Sequence, residues 1–324
     1  MIRHLFLFCL ALSAGLPQIL YAQPSGQVRI IGSLAFGATS PNDPIYEELR
    51  KGLRELGWVD GRDFRIEHRT AEGHLDRLPR LANELVRLKV DAIVTGNDES
   101  TRAAKQATSN IPIVALLYND DPVASGFIES FNRPGGNITG VTVRDSQLAG
   151  KRLEVLKEIF PALSRLAVFW DSPGQAEFAV LQKAGRSLGV HLQLIKFKPL
   201  GDIAGMFQTA KEHKADAVMI LHAPQFYVNR YRFGALSVEY MLPTCSSFRE
   251  IIEAGGLVSY STSVRDQYHR GAYFIDRVFK GAKPAELPFE EASNPKLVVN
   301  LRSADTLKIA IPQAILLRAD EVIK

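Results

Sequence analysis

Cysteine is nearly absent. The 324 residues hold two, Cys9 and Cys245. Cys9 falls in an apolar N-terminal stretch, which leaves Cys245 alone and excludes an internal disulfide in the rest of the chain. Paired cysteines and His-x3-His spacing are missing among the seven histidines, so no metal site is expected. Gly-x-Ser-x-Gly and a Walker loop are missing too, which removes two common catalytic signals. Gly135-Gly136 followed by Gly140 is no dinucleotide fingerprint, because a strand pattern and not a helix follows it. No cofactor is expected. Neither sign of charge dominates: 39 Lys and Arg face 35 Asp and Glu, a formal +4. The two signs alternate along helical segments, which suits a solvated surface and not a nucleic-acid stripe. Past the N-terminus no apolar run approaches about 20 residues, so no spanning helix is expected there.

What is present is ordinary globular composition, 46% apolar and 23% charged, in a chain long enough for two domains. Arg3 and His4 open it with basic character. Residues 5–20 are apolar but broken by Ser13, Gly15, Pro17 and Gln18, and Ala22 offers a small residue for cleavage. Residues 1–22 therefore read as a secretory signal peptide and not an anchor.

The rest alternates strand and helix. Apolar runs at residues 28–35, 90–95 and 111–117 suit buried parallel strands, with an alternating strand at 64–68. Helices between them carry apolar stripes such as Ile45, Leu49, Leu53 and Leu56. The stretch 118–143 ends this series: polar residues, a short helical piece, a Pro-Gly-Gly turn, then a strand at 138–143. The scheme then repeats. Strands are expected at 166–170, 191–197, 217–221, 242–245, 257–260 and 297–301, and helices at 147–160, 178–188, 203–214, 227–240 and 264–280. Residues 284–295 read as an extended connector and the tail as largely helical. A unit about every 30 residues, without hairpin signals, argues parallel sheets covered on both faces. The expected architecture is α/β: two doubly wound parallel-sheet lobes joined by a hinge, with a ligand cleft between. Residues 23–142 and 264–283 would form the first lobe, and 143–263 and 284–324 the second.

Six words in order resemble a known family. They are Leu53-Arg54-Glu55-Leu56-Gly57-Trp58-Val59-Asp60-Gly61; Asp76-Arg77-Leu78-Pro79; Asp120 to Val123 with Arg133-Pro134-Gly135-Gly136-Asn137-Ile138-Thr139-Gly140; Gly150-Lys151-Arg152-Leu153; Glu253-Ala254-Gly255-Gly256-Leu257; and Leu317-Arg318-Ala319-Asp320-Glu321. They are similar to the ABC-transporter substrate-binding family that includes bacterial tryptophan- and tyrosine-binding lipoproteins. The resemblance implies a type I periplasmic binding fold with a three-strand hinge. It implies a non-enzymatic receptor, acting as a monomer, that hands a small molecule to a membrane permease with a cytoplasmic ATPase. No lipobox precedes Cys9, so a free periplasmic protein is expected. Family contacts come from strand-end loops. The matching positions are Ser33, Thr95, Gly96, Asn97, Asp98, Asn119, Asp120 and Asp121 in the first lobe. In the second they are Asp171, Ser172, Gln175, His222, Gln225 and Phe248.

The chemistry of these loops suits an amino acid or related carboxylate. Helix N-termini favour a carboxylate, and Ser33, Thr95, Ser100 and Ser172 add hydroxyls. Asp98, Asp120 or Asp121 would hold an ammonium. Against this, Ser100 and Ser172 also suit helix caps, and Asp121 before Pro122 suits a turn. Tyr118, Phe36, Phe226 and Phe248 would stack on an apolar ligand part, or pack below the cleft. Two other outputs stay open: a sensor loading onto a receptor kinase, and an enzyme on the twin scaffold. Cys245 is alone, and no acid–base pair stands out for the latter.

Overall fold

The computed structural model describes all residues except 1–27, 38, 118–120, 144, 172–174, 198–201 and 293; the side chains of 145, 175 and 176 are also outside it. The first series of elements is β1 (Arg29–Ala35), α1 (Pro44–Glu55), β2 (Phe64–Thr70), α2 (Leu78–Arg87), β3 (Ala92–Thr95), α3 (Asp98–Ala107), β4 (Ile113–Leu117) and β5 (Ile138–Thr142). The second is α4 (Ala149–Ile159), β6 (Arg165–Trp170), α5 (Gln175–Leu188), β7 (His191–Lys196), α6 (Ile203–Glu212), β8 (Ala217–Ile220), α7 (Pro224–Val228), α8 (Arg230–Glu239), β9 (Thr244–Ser246), α9 (Arg249–Glu253) and β10 (Val258–Ser261). Then come α10 (Val264–Phe279), β11 (Glu290–Glu291), β12 (Lys296–Asn300), α11 (Leu301–Leu307), α12 (Gln313–Arg318) and β13 (Glu321–Ile323).

Local chemistry accounts for these elements. α1 begins at Asp43, whose side chain accepts from Ile45 N, with Pro44 in its first turn. Ile45, Leu49 and Leu53 fall on one face and are buried, each stabilising by about 1.5–3 kcal/mol. Central strands are apolar on both faces: all five residues of β4 are buried, as helices on each side require.

The strands form two sheets, ordered β11-β5-β4-β3-β1-β2 and β13-β12-β10-β9-β8-β6-β7. Counted within each series, both sheets follow the doubly wound order 2-1-3-4-5. Their parallel ladders break only where β12 runs antiparallel to β10, among the described strands. Two α/β lobes of the expected type are thus present. The chain crosses between them after β5, between β10 and α10, and between β11 and β12. α10 returns to the first lobe and packs along α1.

Three expectations need correction and one needs an addition. Residues 284–291 do not belong with the second lobe: Glu290–Glu291 pairs with Val141 and Thr142 of the first sheet, so the last crossing falls later. The tail, expected to be largely helical, also carries a strand, β13, which pairs with Val298–Asn300. A three-residue strand is too short to show a period, and its neighbour supplies the stability. The helix expected at 227–240 is two, α7 and α8, meeting at Asn229. The piece after Pro122 forms turns and not a helix.

The Gly135-to-Gly140 word has a backbone reason. Gly140 sits on β5 at φ +145°, and a Cβ there would lie 2.0 Å from Ala115 O on β4. Only glycine lets these two central strands pair at that point.

Candidate functional site

Doubly wound sheets leave a crevice at the carboxyl ends of the strands where the order reverses. Here that point lies past β1 and β3 in one lobe and past β6 and β8 in the other. A cavity of about 570 Å³, counting the part open to solvent, occupies this place. Its first-lobe wall is Phe36, Gly37, Thr39, Tyr46, Gly96 and Asn97, with Gln267 and Tyr268 from α10. Its second-lobe wall is His222, Pro224, Tyr227, Val228 and Phe248.

Aromatic rings dominate the walls. Tyr46 meets Tyr268 edge-on with centroids 5.5 Å apart. Phe248 lies 4.6 Å from the His222 ring and 5.6 Å from Tyr227. Burial raises the phenol pKa of Tyr46 and Tyr268, so both stay protonated. Burial, helped by the Arg152 charge, holds His222 well below the usual histidine range. Among the described lining residues there is no Asp, Glu, Lys or Arg. At neutral pH the described wall is therefore polar in places but uncharged.

A hydrogen-bonded chain fixes the β1 loop. His68 Nε2 is 2.9 Å from the Thr39 carbonyl, which can only accept, so this nitrogen carries the proton. Burial lowers the His68 pKa and keeps the ring neutral. Its Nδ1 is then an acceptor, 3.1 Å from Ser33 Oγ, and Ser33 Oγ is 2.9 Å from Tyr46 Oη. Ser33 therefore positions Tyr46 from beneath, 2% exposed, without lining the cavity.

In the second lobe a buried ion pair does comparable work. Arg152 and Glu177 are 0% and 1% exposed and approach to 2.6 Å. Arg152 Nε donates to Tyr260 O, and His222 N donates to the second Glu177 oxygen at 2.7 Å. The pair ties α4, α5, β10 and the β8 loop together below the cavity.

One buried pair spans the two lobes. Arg230 Nη2 of α8 donates to Asp43 Oδ2 at 3.0 Å, and Tyr227 Oη donates to Asp43 Oδ1 at 3.0 Å. Asp43 and Arg230 are 8% and 7% exposed. Gln225 lies against Gly73 of the first lobe; a Cβ there would meet its amide nitrogen at 2.0 Å.

Of the residues singled out from sequence, Gly96, Asn97, His222 and Phe248 line this cavity. Ser33 and Thr95 lie beneath it; Thr95 Oγ1 is 2.6 Å from Thr101 Oγ1. Asn97, and not Ser100, caps α3, accepting from Ser100 N at 2.9 Å. Asp98 faces a separate surface groove with Leu75, Pro79 and Arg102, and accepts from Ser125 Oγ. Asp121 accepts from Val123 N and Ala124 N, which makes it a turn residue. Half-buried Gln225 and Asp171 are not among the lining residues. Asn119, Asp120 and Ser172, with Tyr118, lie outside the described residues, as does the Gln175 side chain. Phe36 lines the wall, whereas Phe226 packs between Phe197 and Phe233 in the core. Sequence reasoning missed Tyr46, Tyr227, Gln267, Tyr268, Asp43 and Arg230. They stand on helices or helix caps, where an apolar or capping residue gives no signal of its own.

A family model described as "ABC transporter substrate binding protein" matches residues 38–323. A tyrosine-binding protein of Clostridioides difficile is 29% identical over 133 residues, 40% of this chain and 38% of that protein. The aligned part thus spans well under half of that relative. A Streptococcus pneumoniae ABC domain in complex with L-Trp superposes with TM-score 0.81 at 24% identity, covering 92% of this chain and all of that one. A conserved domain protein of Vibrio cholerae gives 0.81 at 22%, covering 91% and 100%. A ligand-free, open substrate-binding protein of Clostridium difficile gives 0.63 at 19%, covering 92% and 100%.

Proposed function

The chain belongs to the ABC transporter substrate binding protein family, and on that premise we propose that it is the solute-binding component of an ABC importer. It captures an amino acid or related small carboxylate by closing its two lobes and presents it to a permease with a cytoplasmic ATPase. The protein works in the periplasm, after removal of residues 1–22, as a monomer and without catalysis. No helix among the described residues is long and apolar enough to cross a membrane.

The buried Asp43–Arg230 contact across the cleft carries this reading. Two charged groups on different lobes lose water together when the lobes meet, which supports a trap that works by closing. The higher TM-score to the L-Trp complex than to the open, ligand-free structure supports it. Aromatic walls support a ring-bearing amino acid, since offset and edge-on ring contacts contribute about 0.5–1.5 kcal/mol beyond burial. Gly96, Asn97, His222 and Phe248 are proposed contacts. Asp120 remains proposed from its place after β4, and an unchanged dissociation constant in Asp120→Ala would remove it.

The test is thermal unfolding of residues 23–324, stripped of carried-over ligand, against amino acids, small carboxylates, nucleosides and sugars. At 100 times its dissociation constant a ligand adds about 2.7 kcal/mol and raises Tm by a few degrees. A shift confined to amino acids supports the reading. Silence there, with a shift for sugars or nucleosides, overturns the ligand class.

A further inference from the structure

Two side-chain amides in the cavity wall have their orientation decided by backbone groups. Gln267 on α10 is 3% exposed and lines the cavity. Its Nε2 donates to Leu117 O at 2.5 Å and to Val141 O at 3.4 Å, at the ends of β4 and β5. Carbonyl oxygens have no proton to give, so the opposite orientation would set oxygen against oxygen. The NH2 half is therefore held at the strands, and Oε1 is the half left for the cavity. It accepts no hydrogen bond from any described residue. Asn97 is the converse. Its Oδ1 is held by Ser100 N as the cap of α3, and turning it over would set donor against donor. Its Nδ2 is the half left, and it donates to no described residue.

One wall thus offers a fixed donor and a fixed acceptor. The described lining around them is uncharged, with His222 neutral and the tyrosines protonated. Asp98 and Asp121, expected from sequence to meet an ammonium, are turned to a different groove and to a local turn. We propose that Gln267 and Asn97 are the specificity-determining pair: Asn97 Nδ2 holds the ligand's carboxylate and Gln267 Oε1 holds its ammonium. This rests on the amino-acid reading above. A neutral acceptor suits a site that must also exist empty, because an amide oxygen, unlike a buried carboxylate, leaves no charge uncompensated when the cation departs. The aromatic faces in the same wall add cation–π attraction for the ammonium.

The experiment uses three probes that differ by one charged group: L-tryptophan, indole-3-propionate without the ammonium, and tryptamine without the carboxylate. L-tyrosine with its two matching analogues forms a second set. Dissociation constants are measured by calorimetry on the wild-type protein, Gln267→Met and Asn97→Ser. Methionine keeps the length of the glutamine without either amide group. Serine keeps the helix cap without the NH2. In the wild type each deleted group weakens binding by roughly 10- to 100-fold, as a charged hydrogen bond does. In Gln267→Met the amino acid and the deaminated acid bind within about threefold of each other, while the preference over the amine persists. In Asn97→Ser the pattern reverses. If either variant weakens all three probes by a common factor, its residue is structural and the assignment is overturned. If the wild type binds neither amino acid, the reading of a ring-bearing amino acid fails, and the assignment falls with it.

Discussion

If the two lobes close on ligand as proposed, replacing Asp43 by asparagine should open them without unfolding the protein. Asparagine caps a helix as well as aspartate, so Ile45 N keeps its acceptor and α1 its start. The same oxygen position still receives Tyr227 Oη. What is lost is the negative charge opposite Arg230, a residue 7% exposed. Breaking a pair locked in one core costs about 3–5 kcal/mol. Here the partners stand on different lobes, and opening returns Arg230 to water. The cost therefore falls on the closed state alone, and relief by opening limits it to about 2 kcal/mol, in the range of one charged hydrogen bond. That is roughly a 30-fold weaker apparent affinity, because only the closed fraction holds ligand. Calorimetry with the best ligand of the thermal screen reads the affinity. Small-angle scattering of the empty protein reads the shape, and a larger radius of gyration is expected for Asp43→Asn. A double-mutant cycle with Arg230→Met isolates the pair. Affinity within twofold of wild type together with an unchanged radius would refute the argument.

The other buried pair makes the opposite prediction. Arg152 and Glu177 lie within one lobe, so no opening relieves them; Glu177→Gln should lower unfolding free energy by about 3–5 kcal/mol, read by denaturant titration, and a loss under 1 kcal/mol would contradict this. Gly140→Ala places a methyl against Ala115 O at a backbone angle alanine avoids; the expected loss is roughly 3–5 kcal/mol from overpacking and strain, and a near-neutral result would show that β4 and β5 separate easily. Histidine titration sets the acid limb. His68 and His222 both have folded pKa values below the ordinary 6.5, so as pH falls below that value the unfolded chain takes up protons first. Their contribution is complete above pH 6.5 and is lost on acidification, with at most about 1.4 kcal/mol per pH unit for each ring. Tm should decline from pH 6.5 to 5, and less steeply in His222→Asn; a flat profile would mean the rings are not held neutral.

The sequence alone was enough for the scaffold. Strand and helix periods are local, and buried parallel strands such as residues 113–117 announce themselves by being apolar throughout. Turn chemistry marked the ends, and the recurring spacing marked two similar lobes. The cleft's location followed as well, since a doubly wound order puts ligands at strand ends. Gly96, Asn97, His222 and Phe248, named from strand-end loops together with the family resemblance, line the cavity at that place.

What the tertiary structure decided was which polar group faces what. Asn97 and Asp98 are neighbours at the start of α3, yet Asp98 faces an outer groove and Asn97 the cavity. Asp121 has the chemistry of a ligand contact and is consumed by its own turn. Gln267 sits in an amphipathic helix, where nothing in the helical period tells a core-facing amide from a cavity-facing one. Asp43 caps α1; its second role needs Arg230, distant in sequence and on the other lobe. Periodicity and capping are properties of a few adjacent residues, so the chain specifies them segment by segment. Cavity walls and interlobe pairs are properties of surfaces that meet only once both lobes are built.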